Sequence, residues 1–326
     1  MSRVLLAVLT LVALAVAAPA AGAATNPWLE KRPLNIAHQG GEDEFPSNTM
    51  YAFERSLKAG ADMLELDVGV TKDDQVVVMH DTTLDRTTSG TGTIASHTLG
   101  QIEKLDGAYW FHAADDAYRH DRKASTYTWR GVATGKRRAP KGYTAADFRV
   151  PTLEQVLEAF PKTPINIEIK GRTKAEAVAE YERNAVVLGR LLKNSPRRDL
   201  IVVSFKQEAV DRFHAIAPKI PLAPGIGGTA DWLLGGKSPG PNVVAFQLPI
   251  TYVLNGTTLD ITTAANVAHA HRDGFAWHTW LSDDTESPAT WTKLVDWCVD
   301  GVMTARPVAF EKLLQTHRRP ASCATP

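Results

Sequence analysis

The sequence predicts an α/β fold, a TIM (β/α)8 barrel with an inserted subdomain or lid after the hairpin of its second strand. Apolar, β-rich runs alternate with segments of helical period, the pattern of a parallel sheet covered by helices. Eight strand candidates can be counted along the chain. The 326 residues, 44% hydrophobic, supply enough apolar side chain for one large core. A barrel of this kind carries its chemistry on the loops that follow the strands.

The strand candidates are Leu34–Ala37, Met63–Asp67, Ile165–Ile169, Leu200–Ser204, Pro221–Gly225, Val243–Leu248, Phe275–Leu281 and Gly301–Thr304. Helical periodicity falls at Asn48–Lys58, Leu153–Phe160, Ala175–Leu192, Gln207–Ala217, Ala264–His271, Thr292–Cys298 and Val308–His317. One connection breaks the alternation. Between Asp67 and His80 two β-branched runs flank Lys72-Asp73-Asp74-Gln75, too short a stretch for a crossover helix and polar enough for a turn. A hairpin there returns His80 to the neighbourhood of Glu65 and Asp67. Residues 84–150 are too long for a loop and weakly periodic. They carry Tyr109, Trp110, Phe111, Tyr118, Tyr127, Trp129 and Tyr143 beside Lys136-Arg137-Arg138. This segment reads as an inserted lid over the barrel mouth.

Residues 1–24 read as a signal peptide: Arg3, an apolar stretch from Val4 to Ala18, and small residues ending in Ala21-Gly22-Ala23, with cleavage near Ala23. The mature chain, 25–326, is then expected to be a single secreted barrel. No Cys follows the leader and no later run is long enough to span a bilayer, so no stable membrane anchor is expected. Export would place Cys298 and Cys323 in an oxidising compartment, where they either pair, tying down the C-terminal tail, or stay as free thiols. With 36 basic and 36 acidic residues the net charge is zero. No whole-molecule field attracts polyanions, and nucleic acid is not an expected partner.

The chemistry sits at the strand ends. His38 closes the first strand before Gly40-Gly41. Alternation puts Glu65 and Asp67 on one side of the second strand, and puts Asn166, Glu168 and Lys170 on one face of the third. A solvated strand face or a simple Glu168–Lys170 ion pair would explain either set alone. Together, three carboxylates in apolar strands call for a cation, and an all-oxygen set fits one divalent metal, Ca2+ or Mg2+. His38 and His80 beside such a metal form an acid–base pair, and Lys170 can hold phosphate oxygens. This is a kit for cleaving a phosphodiester.

The motifs His38-x-Gly40, Pro46-x-Asn48-Thr49, Glu65-x-Asp67-Val68, Thr71-Lys72-Asp73, His80-Asp81, Pro151-Thr152-Leu153, Ile167-Glu168-Ile169-Lys170, Val203-Ser204-Phe205 and Gly301-Val302-Met303-Thr304 resemble, in order and spacing, the glycerophosphodiester phosphodiesterase family. The resemblance implies a TIM barrel that hydrolyses glycerophosphodiesters, or a glycerophosphate polymer, to glycerol 3-phosphate and an alcohol. It implies metal ligation by Glu65, Asp67 and Glu168, and acid–base catalysis by His38 and His80. Substrate contacts would come from Lys170, Gln39 and the aromatics Trp277 or Trp280. Three positions depart from the family pattern. Gln39 and Ser47 stand where an arginine and a glutamate are usual, and Ala305 stands where an acid is usual. The lost arginine leads to the expectation that an insertion arginine, Arg130 or Arg138, helps to hold phosphate. Alternatives on the same barrel are a phospholipase D acting on lysophospholipid or sphingomyelin, and an inactive binder of glycerophosphate polymers. Oligomeric state is left open. Gly236-Lys237-Ser238-Pro239-Gly240 matches a nucleophile-elbow pattern but lacks the preceding strand.

Overall fold

The computed structural model describes residues 26–29, 32–113, 117–172, 178–254, 256–282 and 284–323. The expected leader lies outside them. The chain runs β1 (Leu34–Ala37), α1 (Met50–Lys58), β2 (Met63–Val70), β3 (Val76–Val78), α2 (Leu99–Ile102), α3 (Leu153–Ala159), β4 (Ile165–Ile169), α4 (Val178–Leu192), β5 (Leu200–Val203), α5 (Gln207–Ile216) and α6 (Ile226–Gly235). It continues with β6 (Ala245–Leu248), β7 (Thr251–Leu254), β8 (Thr257–Asp260), α7 (Ala264–Arg272), β9 (Ala276–Trp280), α8 (Pro288–Asp296), β10 (Gly301–Thr304) and α9 (Pro307–Thr316).

Seven strands lie in the parallel order β5-β4-β2-β1-β10-β9-β6. The ring is completed by one short extended segment. Leu222 bridges Val202 on one side and Val243 on the other, both in parallel, with N–H···O bonds from Leu222 to Asn242 and from Ala223 to Val202. This is the expected Pro221–Gly225 strand cut to its middle residues. The remaining strand, β3, pairs antiparallel with β2 in the register Val68↔Val78, which is the expected hairpin.

Alternation sorts the side chains into two layers. Leu64, Leu66, Ile165, Ile167, Ile169, Leu200 and Val202 face outward into a cluster shared with α3, α4 and α5. Ile36, Met63, Ile201, Ala223, Ala245, Ala276 and Met303 fill the barrel interior with Trp28, whose segment is tied to Val244 and Gly274 by Asn26 Nδ2. Each such fully buried aliphatic side chain contributes roughly 1.5–3 kcal/mol, which fixes the register and so fixes which side chains reach the mouth.

Helix caps set several boundaries. Thr49 caps α1, Thr152 and Gln155 form a capping box on α3, and Ser287 with Pro288 starts α8. That cap places the expected Thr292–Cys298 helix four residues earlier. Part of the helix expected from Ala175 lies outside the described residues. Among the described residues, α2, α6 and the β7–β8 hairpin were not expected. Residues 84–150 contain α2 and three short 3-10 turns, and Phe148, Val132 and Ala133 pack with Tyr51 of α1 in a separate apolar cluster. No described helix is long and apolar enough to cross a membrane.

Candidate active site

The chain turns sharply after β1. Gly40 and Gly41 have φ of 78° and 86°, and a Cβ on Gly40 would lie 2.9 Å from the Phe53 ring. Gln39 shares this left-handed conformation (φ 49°) without being glycine, and is held there by three contacts. Its N–H donates to Glu65 Oε2 (2.8 Å), its carbonyl accepts from Asn48 N (2.8 Å), and its side-chain Oε1 accepts from Ser47 Oγ (2.6 Å). The two residues that depart together from the family pattern are thus bonded to each other.

His38 and His80 face each other across the mouth with ring centroids 6.5 Å apart. Each rests its Nδ1 on a carboxylate, His38 on Glu42 Oε1 (2.7 Å) and His80 on Asp81 Oδ1 (2.7 Å). Arg86 Nε donates to the other Asp81 oxygen (2.8 Å) and fixes that carboxylate. With Nδ1 engaged, Nε2 is the free nitrogen of His80. Nε2 of His38 lies 3.9 Å from Glu65 Oε2. Burial works against the charge on His38, but Glu42, Glu65 and Asp67 outweigh it and raise its pKa to about 10. Burial also opposes ionisation of Asp81, and bonding to His80 and Arg86 overrides it, holding that acid well below the usual carboxylate range.

Glu65, Asp67 and Glu168 come together as predicted, offering ligand oxygens that all lie within 4.8 Å of one another. Lys170 Nζ is 3.1 Å from Asp67 Oδ1 and 2.8 Å from Glu168 Oε1. Those two buried oxygens are paired by charge yet lack a hydrogen bond of good geometry. One ammonium cannot neutralise three carboxylates. Burial, followed by repulsion from Asp67, pushes Glu65 up to about 8, and burial likewise raises Glu168. Burial is overcome at Asp67 by Lys170 and the two imidazoles, which lower its pKa. Buried, oxygen-only and short of positive charge, this set fits a hard divalent cation.

Three sequence expectations change here. Trp277 is fully buried on the outer face of β9, packed in the cluster with Phe246 and donating to Thr262 Oγ1 (3.2 Å), whereas Trp280, three residues on, faces the cavity. Strand alternation is the reason. Arg130 lies within residues 84–150 against Tyr109, Trp110 and Tyr127, and neither it nor Arg138 lines the cavity. Among the described residues of that segment the cations that do are Arg86 and Arg119, with Tyr118 between, whose hydroxyl accepts from Ser47 N at 2.5 Å. At position 305, where the sequence reading expects the family to carry an acid, the Ala305 N–H donates to Glu286 Oε2 (3.1 Å), and Glu286 also bonds Thr304. The sequence reading missed Glu42, Arg86, Tyr118 and Glu286 as parts of the site. Only Glu42, four residues after His38, carried a spacing signal.

The Glycerophosphoryl diester phosphodiesterase family pattern matches residues 38–309. The chain belongs to this family. Among the relatives of this glycerophosphodiester phosphodiesterase-family chain is a glycerophosphodiester phosphodiesterase of Bacillus subtilis (strain 168), 30% identical over 285 residues that span 86% of each chain. Another is Homo sapiens lysophospholipase D GDPD1, 38% identical over 155 residues, 46% of this chain and 42% of the relative. The fold is shared with an Oleispira antarctica phosphodiesterase in complex with the product sn-glycerol-3-phosphate, at TM-score 0.62 and 18% identity over 87% of this chain and 98% of that one. It is also shared with a glycerophosphodiester phosphodiesterase of Agrobacterium tumefaciens, at TM-score 0.58 and 21% identity over 84% and 97%. Family membership makes the chain a phosphoric diester hydrolase.

Proposed function

We propose that this enzyme hydrolyses glycerophosphodiesters to glycerol 3-phosphate and an alcohol, with one divalent metal and with His38 and His80 as acid and base. The observation that carries the reading is the pair of imidazoles, each backed by a carboxylate, flanking a buried three-carboxylate cluster. Glu65, Asp67 and Glu168 would hold Ca2+ or Mg2+. When bound, the metal supplies Lewis-acid polarisation of a phosphoryl oxygen and neutralises its charge. Lys170 places an ammonium against the same oxygens, and Trp280 offers an apolar face to the glycerol carbons. One imidazole takes the proton of the attacking oxygen. The other delivers a proton to the alcohol oxygen as its bond to phosphorus breaks. Glu42 and Asp81 hold the two rings with Nε2 toward the reacting groups. Export, proposed from the leader at 1–24, is supported by the Cys298–Cys323 disulfide.

The test is a phosphodiester panel assayed with chelator, with Ca2+ or Mg2+ restored, and with His38→Ala and His80→Ala. Chelation should abolish turnover and metal should restore it. Each histidine variant should lower kcat by roughly 10²–10⁴-fold. Turnover that persists through chelation and His38→Ala would overturn the mechanism.

A further inference from the structure

The active-site cavity, about 730 Å³, is divided by polarity. Its ionisable lining residues, from His38 and Glu42 to Glu168 and Lys170, all come from the ends of β1, β2, β3 and β4 and from residues 84–150. Among the described lining residues after Lys170, none is charged. That second arm is walled by Ile226, Leu233 and Leu234 of α6 and by Leu254 and Leu259 of the β7–β8 hairpin. Phe205 stands at the joint, with Lys170 Nζ 5.5 Å from its ring on one side and Trp280 5.8 Å away on the other.

The exposure of this arm is concentrated. The exposed large apolar side chains among the described residues are Phe205, Ile226, Leu234, Val253, Leu254 and Leu259, and all but Val253 line this one cavity. Leu234 is 80% exposed. Scattered single exposures need no explanation, but a contiguous set that opens into a reaction site does. The lining after Lys170 has polar side chains that can meet a hydroxyl, such as Ser204, Thr229 and Gln247, but none that meets the charge of a deacylated head group. A hydrocarbon chain loses nothing there and gains by leaving water.

We infer that the arm between α6 and the β7–β8 hairpin holds the single hydrocarbon chain of an amphiphilic glycerophosphodiester, making lysophospholipid-type diesters the preferred substrates. The inference rests on the phosphodiester-hydrolase reading of the same site. A glycerol bound with its phosphate at Lys170 sends an ester-linked chain over Phe205 directly into the arm. Hydrolysis then joins the water oxygen to phosphorus and breaks the bond from phosphorus to the head-group alcohol. The proton passes to that leaving oxygen, and acylglycerol phosphate and free alcohol are released.

The experiment compares glycerophosphocholine with its hexanoyl, octanoyl and decanoyl monoesters, all below the concentration at which they aggregate. In the wild type, kcat/KM should climb by roughly fourfold per methylene, the fold equivalent of about 0.8 kcal/mol, until the arm is filled. Leu234→Glu and Leu254→Glu should collapse the ratio of acylated to deacylated kcat/KM toward unity. A flat series, a ratio that survives both substitutions, or a rise confined to aggregated substrate would each overturn the inference while leaving glycerophosphodiester hydrolysis standing. Absence of turnover on every diester would instead overturn the hydrolase reading. Calorimetric titration of the same esters then decides the arm: affinity that grows with chain length, with a negative heat-capacity change, supports it, and chain-independent binding overturns it.

Discussion

At the residue level, Gln39 and Ser47, which the sequence reading expects to stand in place of an arginine and a glutamate, are joined by a hydrogen bond of 2.6 Å. Removing only the cation would have left an acid buried beside Glu65 and Asp67, and removing only the acid would have left an unpaired guanidinium. Ser47 is 6% exposed, so Ser47→Glu alone adds a further buried carboxylate and should cost roughly 3–5 kcal/mol. Adding Gln39→Arg should recover part of that loss. A double-mutant cycle from urea denaturation would show coupling of roughly 1–3 kcal/mol, whereas additive effects would show that the two positions do not communicate. His38, His80, Glu65, Asp67, Glu168 and Lys170 were legible because each sits at the end of an apolar strand, where alternation fixes the face. Trp277 and Trp280 were not distinguishable, since a three-residue offset on one strand flips the face and the sequence does not mark where the strand begins.

At the level of elements, caps and periodicity located most helices, and the β2–β3 hairpin was legible from its polar turn. Helix α6 was missed because Gly227, Gly228 and Gly235 dilute its pattern, and the β7–β8 hairpin because its side chains are largely exposed and so show no inward–outward contrast. These are the elements that wall the uncharged arm. The C-terminal tail is held by the disulfide between Cys298 and Cys323, 25 residues apart, and by Arg319, whose guanidinium lies 3.1 Å from Asp300 Oδ1. Asp300 also accepts from the Trp277 backbone N–H (2.8 Å), so the clamp reaches the barrel wall. Replacing both cysteines by serine should cost roughly 3 kcal/mol in chemical denaturation, from the restored freedom of the unfolded chain. An unchanged midpoint would mean that Arg319 and Asp300 suffice.

At the level of the whole molecule, one histidine ties stability to pH. His278 is fully buried in the barrel interior with neither ring nitrogen bonded, and burial depresses its pKa from 6.5 to about 4. The unfolded chain therefore takes up a proton near 6.5 that the folded chain refuses until about 4. No penalty exists above that window, and falling pH within it favours unfolding by up to on the order of 3 kcal/mol. Relative to His278→Leu, the wild type should lose stability on going from about pH 7 to about pH 5, and parallel stability curves would refute the assignment. By itself the sequence determined the barrel, the three clustered carboxylates and the two histidines, since hydrophobic period and strand alternation are local properties of the chain. Tertiary structure alone decided that Glu42 supports His38, that Glu286 bonds Thr304 and Ala305, and that α6 and the β7–β8 hairpin line one cavity. Those pairings join residues through loop conformation and barrel closure, which no local period encodes.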